Sequence, residues 1–372
     1  MVVFRGVLTQ FNEFRLNIII FKYNLNFLMI RVMIIDDSIA VRRGFAKLID
    51  KIAGVELLGE ASNPVDAIEE FKRVGLPDLF ILDIEMPKMD GITFLKKLSE
   101  QKAIPVIICS TLVAEGSDAA IDALRYGAVD IIEKPRVNLD AFFSEYQEEL
   151  TLKIQAAIKA HVRVVQHIEP PVVKYVKDTA SLRASKKFAA IGASTGGVQA
   201  LEKVVSGLKK DHAGVVVTQH MPVGFTASFA RRLNQIAPFS YIKEAQNDDT
   251  IKDGQVLIAP GGIHMEVYKI GDLYKIRLKD FPKVNSHKPS VTVLFKSIAK
   301  TAFANAQGYI LTGMGSDGAA GLKMMKDAGS KTFGESEKTA IVYGIPRVAK
   351  EMEAVEAELV IDDVAKTINE II

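Results

Sequence analysis

Two groups of polar residues in this chain have side chains of the types that carry out chemistry. The first group holds carboxylates, a hydroxyl and a lysine, each at or just after the end of a short apolar run: Asp36, Asp37, Asp83, Ser110 and Lys134. The second group lies in the other half of the chain: Ser194, His220 and Asp317. Carboxylates beside a lysine and a hydroxyl are typical of phosphoryl transfer, and a serine beside a histidine and an aspartate is typical of nucleophilic catalysis.

Three carboxylates at one place repel each other unless a hard cation neutralises them. Mg²⁺ is bound by a few carboxylates together with water and phosphate oxygens. Asp36, Asp37 and Asp83 therefore predict a metal site, with Asp83 as the nucleophile that forms an acyl phosphate. Lys134 and Ser110 would bind the phosphoryl oxygens. A simpler interpretation makes the aspartates helix N-caps and the lysine a surface charge, but it does not explain why all of them occur in register at strand ends.

The elements that must position the first group alternate regularly from Ile30 to about residue 150. We predict strands at 30–35, 55–60, 78–83, 105–110 and 129–132. Amphipathic helices are predicted between them, for example at 38–52, where apolar residues recur with the spacing of one helix face. This order of elements predicts a five-stranded parallel sheet covered on both faces. The polar group falls at the carboxyl ends of the strands, where such folds bind ligands.

A resemblance to a known family rests on three segments of this half: VMIIDDS at 32–38, LDIEMPKMDG at 82–91 and EKP at 133–135. They resemble the receiver domain of two-component response regulators, which has a flavodoxin-like fold. The resemblance implies that a partner histidine kinase phosphorylates Asp83 and that Ser110 and Lys134 sense the phosphoryl group. The chain departs from the family pattern at Ile131, where many receivers have an aromatic residue that switches rotamer.

In the second half, a short apolar strand predicted at 188–192 runs into the glycine-rich turn GASTGG at 192–197 and then into a helix. Backbone N–H groups at such a turn bind an anion. One interpretation is a cofactor pyrophosphate site, but Ser194 replaces the middle glycine of that motif and obstructs the close approach. A second is a purely structural turn. We favour a third, in which Ser194 is a nucleophile and the N–H groups form an oxyanion hole.

A serine nucleophile needs a base, and His220 ends an apolar strand at the same edge of the sheet as Ser194. Asp317 follows another apolar strand and would orient the histidine. Each residue alone also has a structural interpretation, such as a helix N-cap for Asp317. The chain order Ser, His, Asp differs from the Ser, Asp, His of α/β-hydrolases. We therefore expect a doubly wound, mainly parallel α/β domain that is not an α/β-hydrolase fold.

The second half resembles the catalytic domain of the chemotaxis protein-glutamate methylesterases. The resemblance rests on the motifs above and on HMP at 220–222, APGGIHM at 259–265 and HKPS at 287–290. It implies hydrolysis of γ-glutamyl methyl esters on methylated chemoreceptors, release of methanol, deamidation of receptor glutamines, and the chemotaxis histidine kinase as phosphodonor. It places Thr195 and the backbone amide of Met314 in the catalytic surroundings and requires no metal for the esterase. We expect the segment 256–279 and the loop before Ser290 to wall the site, where His264 and His287 could touch substrate. A structural role for both histidines is at least equally open.

Length and composition set the remaining limits. The 372 residues suggest about two domains of roughly 150 residues each. We divide the chain into an N-terminal extension (1–28), a receiver (29–150), a helical then proline-containing linker (151–185) and a catalytic domain (186–372). The extension is interpreted as a mis-assigned start. The alternative is a membrane-surface anchor and not a membrane span, because its apolar stretch is shorter than the about 20 residues that a span needs.

Charge and cysteine content exclude some partners. The 47 Lys and Arg residues nearly balance the 45 Asp and Glu residues, so the chain has no general basic field for nucleic acid. The single cysteine, Cys109, cannot form an internal disulfide, and we expect a cytoplasmic protein that is not integral to a membrane.

One hypothesis unites both halves: a phosphorylation-activated serine esterase in which the unphosphorylated receiver covers the catalytic edge. Two alternatives from other classes stay open, a signalling adaptor with an inactive second domain and a nucleotide-binding oxidoreductase. A zinc site built from His220, His264, His287 and Asp317 is a further alternative, although the residue spacing of common zinc motifs is missing.

Overall fold

The computed structural model describes residues 29–110, 114–134, 142–144, 147–164 and 182–371. The extension 1–28 and residues 165–181 of the predicted linker lie outside the described residues, so the interpretation of the start stays a prediction. The chain forms two parallel sheets, each flanked by helices, and a two-stranded hairpin. No helix in the described ranges is long and apolar enough to cross a membrane.

The first sheet is built from strands that the sequence predicted to within one residue. The strands are β1 (Ile30–Ile35), β2 (Val55–Ala61), β3 (Leu79–Asp83), β4 (Val106–Ser110) and β5 (Asp130–Glu133). The helices between them are α1 (Ile39–Ile49), α2 (Pro64–Val74), α3 (Gly91–Gln101) and α4 (Ala114–Arg125). The strands pair in parallel in the order β2-β1-β3-β4-β5. The predicted five-stranded parallel sheet is confirmed.

Helix α5 (Gln147–Ile158) packs on the first sheet. Its Leu150, Ile154 and Ala157 are buried in the same core as residues of β1 and α1. The helix crosses residue 150, the predicted end of the receiver, and its apolar face is covered by the receiver's sheet.

The second sheet contains seven parallel strands. They are β6 (Phe188–Ala193), β7 (Gly214–Gln219), β8 (Tyr241–Glu244), β9 (Gln255–Ile258), β12 (Ala306–Ile310), β13 (Lys331–Glu335) and β14 (Ala357–Leu359), and the hairpin is β10 (His264–Ile270) with β11 (Leu273–Lys279). The sheet order is β14-β13-β12-β6-β7-β9-β8. The expected mainly parallel α/β architecture is confirmed.

Helices cover both faces of this second sheet. They are α6 (Gly197–Ser206), α7 (Phe225–Ile236), α8 (Val291–Thr301), α9 (Ala319–Asp327), α10 (Ile345–Glu351) and α11 (Ile361–Asn369). Helices α6, α7 and α11 share one apolar core, whereas α8, α9 and α10 share the other with the hairpin. Both faces of the central strands are therefore buried, as their continuous apolar runs require.

The two units contact each other next to the Ser194 turn. The Gln199 side-chain amide donates hydrogen bonds to the carbonyls of Leu124 (2.9 Å), in the last turn of α4, and of Ala128 (2.7 Å), in the connection from α4 to β5. The Gly196 N–H donates to the Val129 carbonyl at 3.2 Å. The carboxyl edge of the second sheet thus lies against the α4–β5 side of the first.

Candidate functional site

The first polar group converges at the carboxyl edge of the first sheet. Asp83 ends β3, Asp36 and Asp37 follow β1, and Lys134 follows β5. The Lys134 ammonium lies 2.5 Å from Asp83 Oδ2, 3.0 Å from Asp36 Oδ1 and 3.4 Å from Asp37 Oδ1. Ser110 ends β4, the strand that pairs with β3. The parallel register therefore brings together side chains that are far apart in the sequence.

The electrostatics of this edge fit a bound cation. Burial raises the pKa of Asp83 to about 6, and the nearby charge of Asp36 adds to this effect although Lys134 opposes it. One oxygen each of Asp36, Asp37 and Asp83 lies within 4.8 Å of the others. In the described residues, Asp36 Oδ2 and Ser110 Oγ are buried without a hydrogen-bond partner. Buried oxygens without partners beside mutually repelling carboxylates are typical of a Mg²⁺ site that also receives a phosphoryl group.

Ser194 lies at the turn between β6 and α6. Gly196, at φ +79°, allows this turn to close, and a Cβ atom there would lie 2.7 Å from Ile341. The Ser194 N–H donates to the Thr312 carbonyl at 3.0 Å, which fixes the backbone of the turn against the end of β12. The hydroxyl is consequently held at the carboxyl edge of the sheet, where the sequence predicted it.

His220 follows β7, the strand next to β6. Its N–H donates to the Ala193 carbonyl at 3.1 Å, so the two strand ends are level. His220 Nδ1 lies 3.0 Å from Ser194 Oγ, and His220 Nε2 lies 2.8 Å from Asp317 Oδ2. The structure thus joins the serine, the histidine and the aspartate in one chain of hydrogen bonds.

Asp317 is held by more than the histidine. Its carboxylate also accepts hydrogen bonds from Asn285 Nδ2 (2.9 Å), Ser290 Oγ (2.7 Å), and the N–H groups of Val291 (2.7 Å) and Thr292 (3.2 Å). The last two belong to the N-terminus of α8, whose dipole favours a negative charge. Burial alone would raise the pKa of Asp317, but hydrogen bonds from His220, Asn285 and Ser290, with attraction to His220, hold it well below its usual range.

The two additional histidines behave differently. The His287 ring stacks on the His220 ring, with centroids 3.7 Å apart and planes 14° apart. Burial, followed by repulsion from His220, keeps the pKa of His287 well below its ordinary value, so it stays neutral beside the base. His264 is fully buried, stacks on Phe281, and bonds the Pro282 carbonyl and the Ser290 N–H. His264 does not line the cavity, so its contacts fit the structural interpretation and not contact with substrate.

Ser194, Thr195, His220, His287 and Met314 line one cavity of about 480 Å³. The opposite wall comes from the first unit and includes Ile131, Leu150 and Lys153. Sequence reasoning missed Asn285, which contacts Asp317 from a turn where Asn285 and Ser286 have positive φ. An Asn-Ser pair is a turn signal, and it could have marked this loop.

The fold and the two sites together define a response regulator whose output unit has the side-chain arrangement of a serine hydrolase. Residues 32–143 match the response regulator receiver domain, and residues 189–368 match the CheB methylesterase family. The chain belongs to the CheB methylesterase family whose members carry a receiver domain ahead of the methylesterase domain.

The chain is similar to individual relatives and to a solved structure. The protein-glutamate methylesterase/protein-glutamine glutaminase 2 of Albidiferax ferrireducens is 42% identical over 341 residues, which cover 90% of this chain and 98% of that protein. Enzyme 3 of the same description from Shewanella oneidensis is 44% identical over 352 residues, covering 91% and 98%. The crystal structure of the Thermotoga maritima CheB methylesterase catalytic domain is 32% identical and covers 50% of this chain and 98% of that one, with a TM-score of 0.49.

Proposed function

We propose that this protein is a protein-glutamate methylesterase and protein-glutamine glutaminase that acts on chemoreceptors during chemotactic adaptation and is activated by phosphorylation of Asp83. The esterase would hydrolyse γ-glutamyl methyl esters and release methanol. The observation that carries the proposal is the hydrogen-bonded series Ser194, His220 and Asp317, at 3.0 and 2.8 Å, in a cavity at the carboxyl edge of the second sheet.

His220 serves as base and then as acid. Its Nδ1 removes the Ser194 hydroxyl proton while the serine oxygen attacks the ester carbonyl carbon. The imidazolium then gives that proton to the methoxy oxygen, so methanol leaves and an acyl-enzyme remains on Ser194. Water, deprotonated by the same histidine, hydrolyses this ester and releases the γ-carboxylate. With a glutamine side chain, ammonia takes the place of methanol as the leaving group.

Thr195 and Met314 supply donors for the oxyanion. Both residues line the cavity beside Ser194. Their backbone N–H groups make no hydrogen bond to another residue in the described part of the chain. Donors that are already in place cost no reorganisation when negative charge develops on the carbonyl oxygen.

Asp317 and His287 keep His220 in the tautomer and charge state in which it can act as a base. Asp317 stays ionised because its pKa is held low, and it accepts a hydrogen bond from the N–H at His220 Nε2. This interaction fixes the tautomer that leaves Nδ1 free to act as base, and it stabilises the imidazolium that forms. His287 stays neutral, so the stacked pair carries one positive charge at most during the reaction.

In the receiver, Asp83 is the phosphoryl acceptor, Ser110 and Lys134 bind the phosphoryl oxygens, and Asp36, Asp37 and Asp83 hold Mg²⁺. The cation neutralises charge on the transferring phosphoryl group. The donor is the histidine kinase of the chemotaxis system. The methylesterase site requires no metal, and the protein acts in the cytoplasm without binding nucleic acid. The domain boundaries given above, with the catalytic domain from 186, are part of this proposal.

Control of the esterase works through access to Ser194. The first unit walls the cavity, and it contacts the site through Asp130, whose Oδ2 accepts the Thr195 hydroxyl hydrogen bond at 2.5 Å. At the rim, Lys283 pairs with Glu149 of α5 at 3.1 Å. A folded receptor segment cannot reach the serine past these contacts, and phosphorylation at Asp83 loosens them.

The test is methanol release from a methylated chemoreceptor fragment. Wild type is compared with Ser194→Ala and Asp83→Asn, each with and without Mg²⁺ and a small acyl-phosphate donor. Release should need Ser194 and should rise with donor only when Asp83 is present. If wild type releases no methanol under any condition, the adaptor alternative takes precedence.

A further inference from the structure

Glu335, at the end of β13, is a buried acid that the proposed reaction does not use. Its side chain is 1% exposed, and its Oε2 accepts the Thr312 N–H at 2.9 Å. Burial raises its pKa to about 7, while hydrogen bonds from Thr312 and Thr339 oppose this; no cation contributes. Burying a carboxylate without a cationic partner costs free energy. The hydrogen bonds of Glu335 must therefore explain why an acid occupies this position.

Thr312, which Glu335 holds, touches the nucleophile turn through two groups. Its carbonyl accepts the Ser194 N–H at 3.0 Å, and its hydroxyl donates to the Thr195 carbonyl at 2.9 Å. The same hydroxyl accepts the Val342 N–H at 2.8 Å. One residue therefore fixes the backbone of the nucleophile and of the residue after it.

The segment after Thr312 leads directly to Met314. Gly313 lies between them with φ +159°, and a Cβ atom at Gly313 would lie only 2.5 Å from Ser194 Cβ. The Gly313 N–H donates to the Val342 carbonyl at 3.0 Å. With so little space, a shift of Thr312 must move both the serine and Met314, whose N–H is the proposed oxyanion donor.

We propose that Glu335 is a positioning residue for the esterase reaction and acts through Thr312 as a hydrogen-bond acceptor, not as a charge. The inference rests on the proposed function. A glutamine carbonyl can accept the same N–H without the cost of a buried charge. An alanine leaves the buried Thr312 N–H without an acceptor, which frees the turn to move.

The experiment uses the full-length protein, activated by an acyl-phosphate donor, with Glu335→Gln and Glu335→Ala. Thr332→Val is the matched control, because Thr332 lies on the same strand, is fully buried, and has a hydroxyl with no partner among the described residues. Four quantities are measured: kcat and KM for methanol release, the rate at which a fluorophosphonate probe labels Ser194, and the unfolding midpoint.

We expect Glu335→Ala to lower kcat and the labelling rate about 10- to 100-fold with little change in KM, because a displacement of about 1 Å has effects of this size. Glu335→Gln and Thr332→Val should behave like wild type. Thr312→Val, which keeps the N–H bond to Glu335 but loses both hydroxyl contacts, should lower the labelling rate in the same way.

Two results would overturn the inference. If Glu335→Ala lowers the unfolding midpoint but leaves kcat and labelling of the folded protein unchanged, Glu335 only stabilises the fold. If Glu335→Gln loses as much activity as Glu335→Ala, the charge is what matters. A wild type that is labelled at Ser194 but releases no methanol would refute the proposed function instead, and the labelling rates of the variants would still decide whether Glu335 positions the serine.

Discussion

The Asp130 carboxylate, at the start of β5, lies 2.5 Å from the hydroxyl of Thr195, the residue that follows the nucleophile. The same carboxylate pairs with Lys153 of α5 at 2.6 Å. One buried acid of the receiver thus joins the β5 strand, the α5 helix and the Ser194 turn. Because Lys134 follows β5 directly, a change at the phosphoryl site has a short path to this contact.

Removal of this carboxylate should activate the resting enzyme. In Asp130→Ala, the form in which the receiver covers the cavity loses a hydrogen bond to a charged group, and such a bond contributes about 1.5–3 kcal/mol. Basal methanol release should therefore rise about 10-fold or more. The measurement is the release rate without donor. Asp118→Ala is the control, since the Asp118–Arg231 pair is exposed at both ends and contributes little. A basal rate in Asp130→Ala equal to that of wild type would show that this contact does not restrain the site.

Breaking the Glu149–Lys283 pair at the cavity rim should raise the basal rate of methanol release by a smaller factor than Asp130→Ala does. Both side chains are partly exposed, at 26% and 43%, and such pairs contribute about 0.2–1 kcal/mol. Glu149→Lys should raise the basal rate a few-fold, and the double variant Glu149→Lys/Lys283→Glu should bring it back towards wild type. If the double variant is as active as Glu149→Lys, the pair does not hold the cleft closed.

Glu335 should make the folded state less stable as pH rises. Its pKa is about 7 in the folded protein and 4.5 is its ordinary value, so the folded chain retains a proton that the unfolded chain loses between these values. The resulting stability is fully present below about pH 4.5 and is lost as pH rises through about 7. The unfolding midpoint of Glu335→Gln should therefore fall less than that of wild type between pH 5 and 8. Parallel curves for the two proteins would contradict this expectation.

Removal of Mg²⁺ should impair the receiver site and leave the esterase site unchanged. Chelation with EDTA should abolish the activation by acyl phosphate, because Asp83 cannot accept a phosphoryl group while the charges of Asp36, Asp37 and Asp83 are not neutralised. The basal methanol release should not change, since the proposed esterase mechanism needs no metal. Asp36→Asn should lose activation even with Mg²⁺ present. A fall in basal release after chelation, reversed by added metal, would indicate a second metal-dependent step.

The sequence was sufficient for those parts of the fold and sites that depend on short-range patterns. Apolar runs of β-branched residues predicted the strands of the first sheet, and parallel pairing then placed Asp83 and Lys134 at one edge. The same reasoning placed Ser194 and His220 on neighbouring strands, because a polar residue at a strand end lies at the edge whatever the details of packing.

Contacts made by loops and between units could not be predicted in this way. The stacking of His287 on His220 depends on the path of the loop before α8. His264, at the start of β10, instead contacts Phe281 and Pro282 of that loop. The sequence predicts only an ordinary strand residue at Asp130, because its partner Thr195 is 65 positions away. Helix α5 crosses the predicted boundary at residue 150 because its apolar face packs against the core of the receiver. The local sequence does not reveal this contact.

The hydrogen bonds among Ser194, His220 and Asp317 are complete while the receiver still walls the cavity. We therefore propose that the receiver controls which molecules can reach Ser194 and does not control the assembly of the three catalytic residues. A space of 480 Å³ admits a small electrophile but not a helix of another protein. Covalent inhibitors small enough to pass would inactivate the enzyme in both signalling states, whereas inhibitors that mimic the receptor would act only on the phosphorylated form.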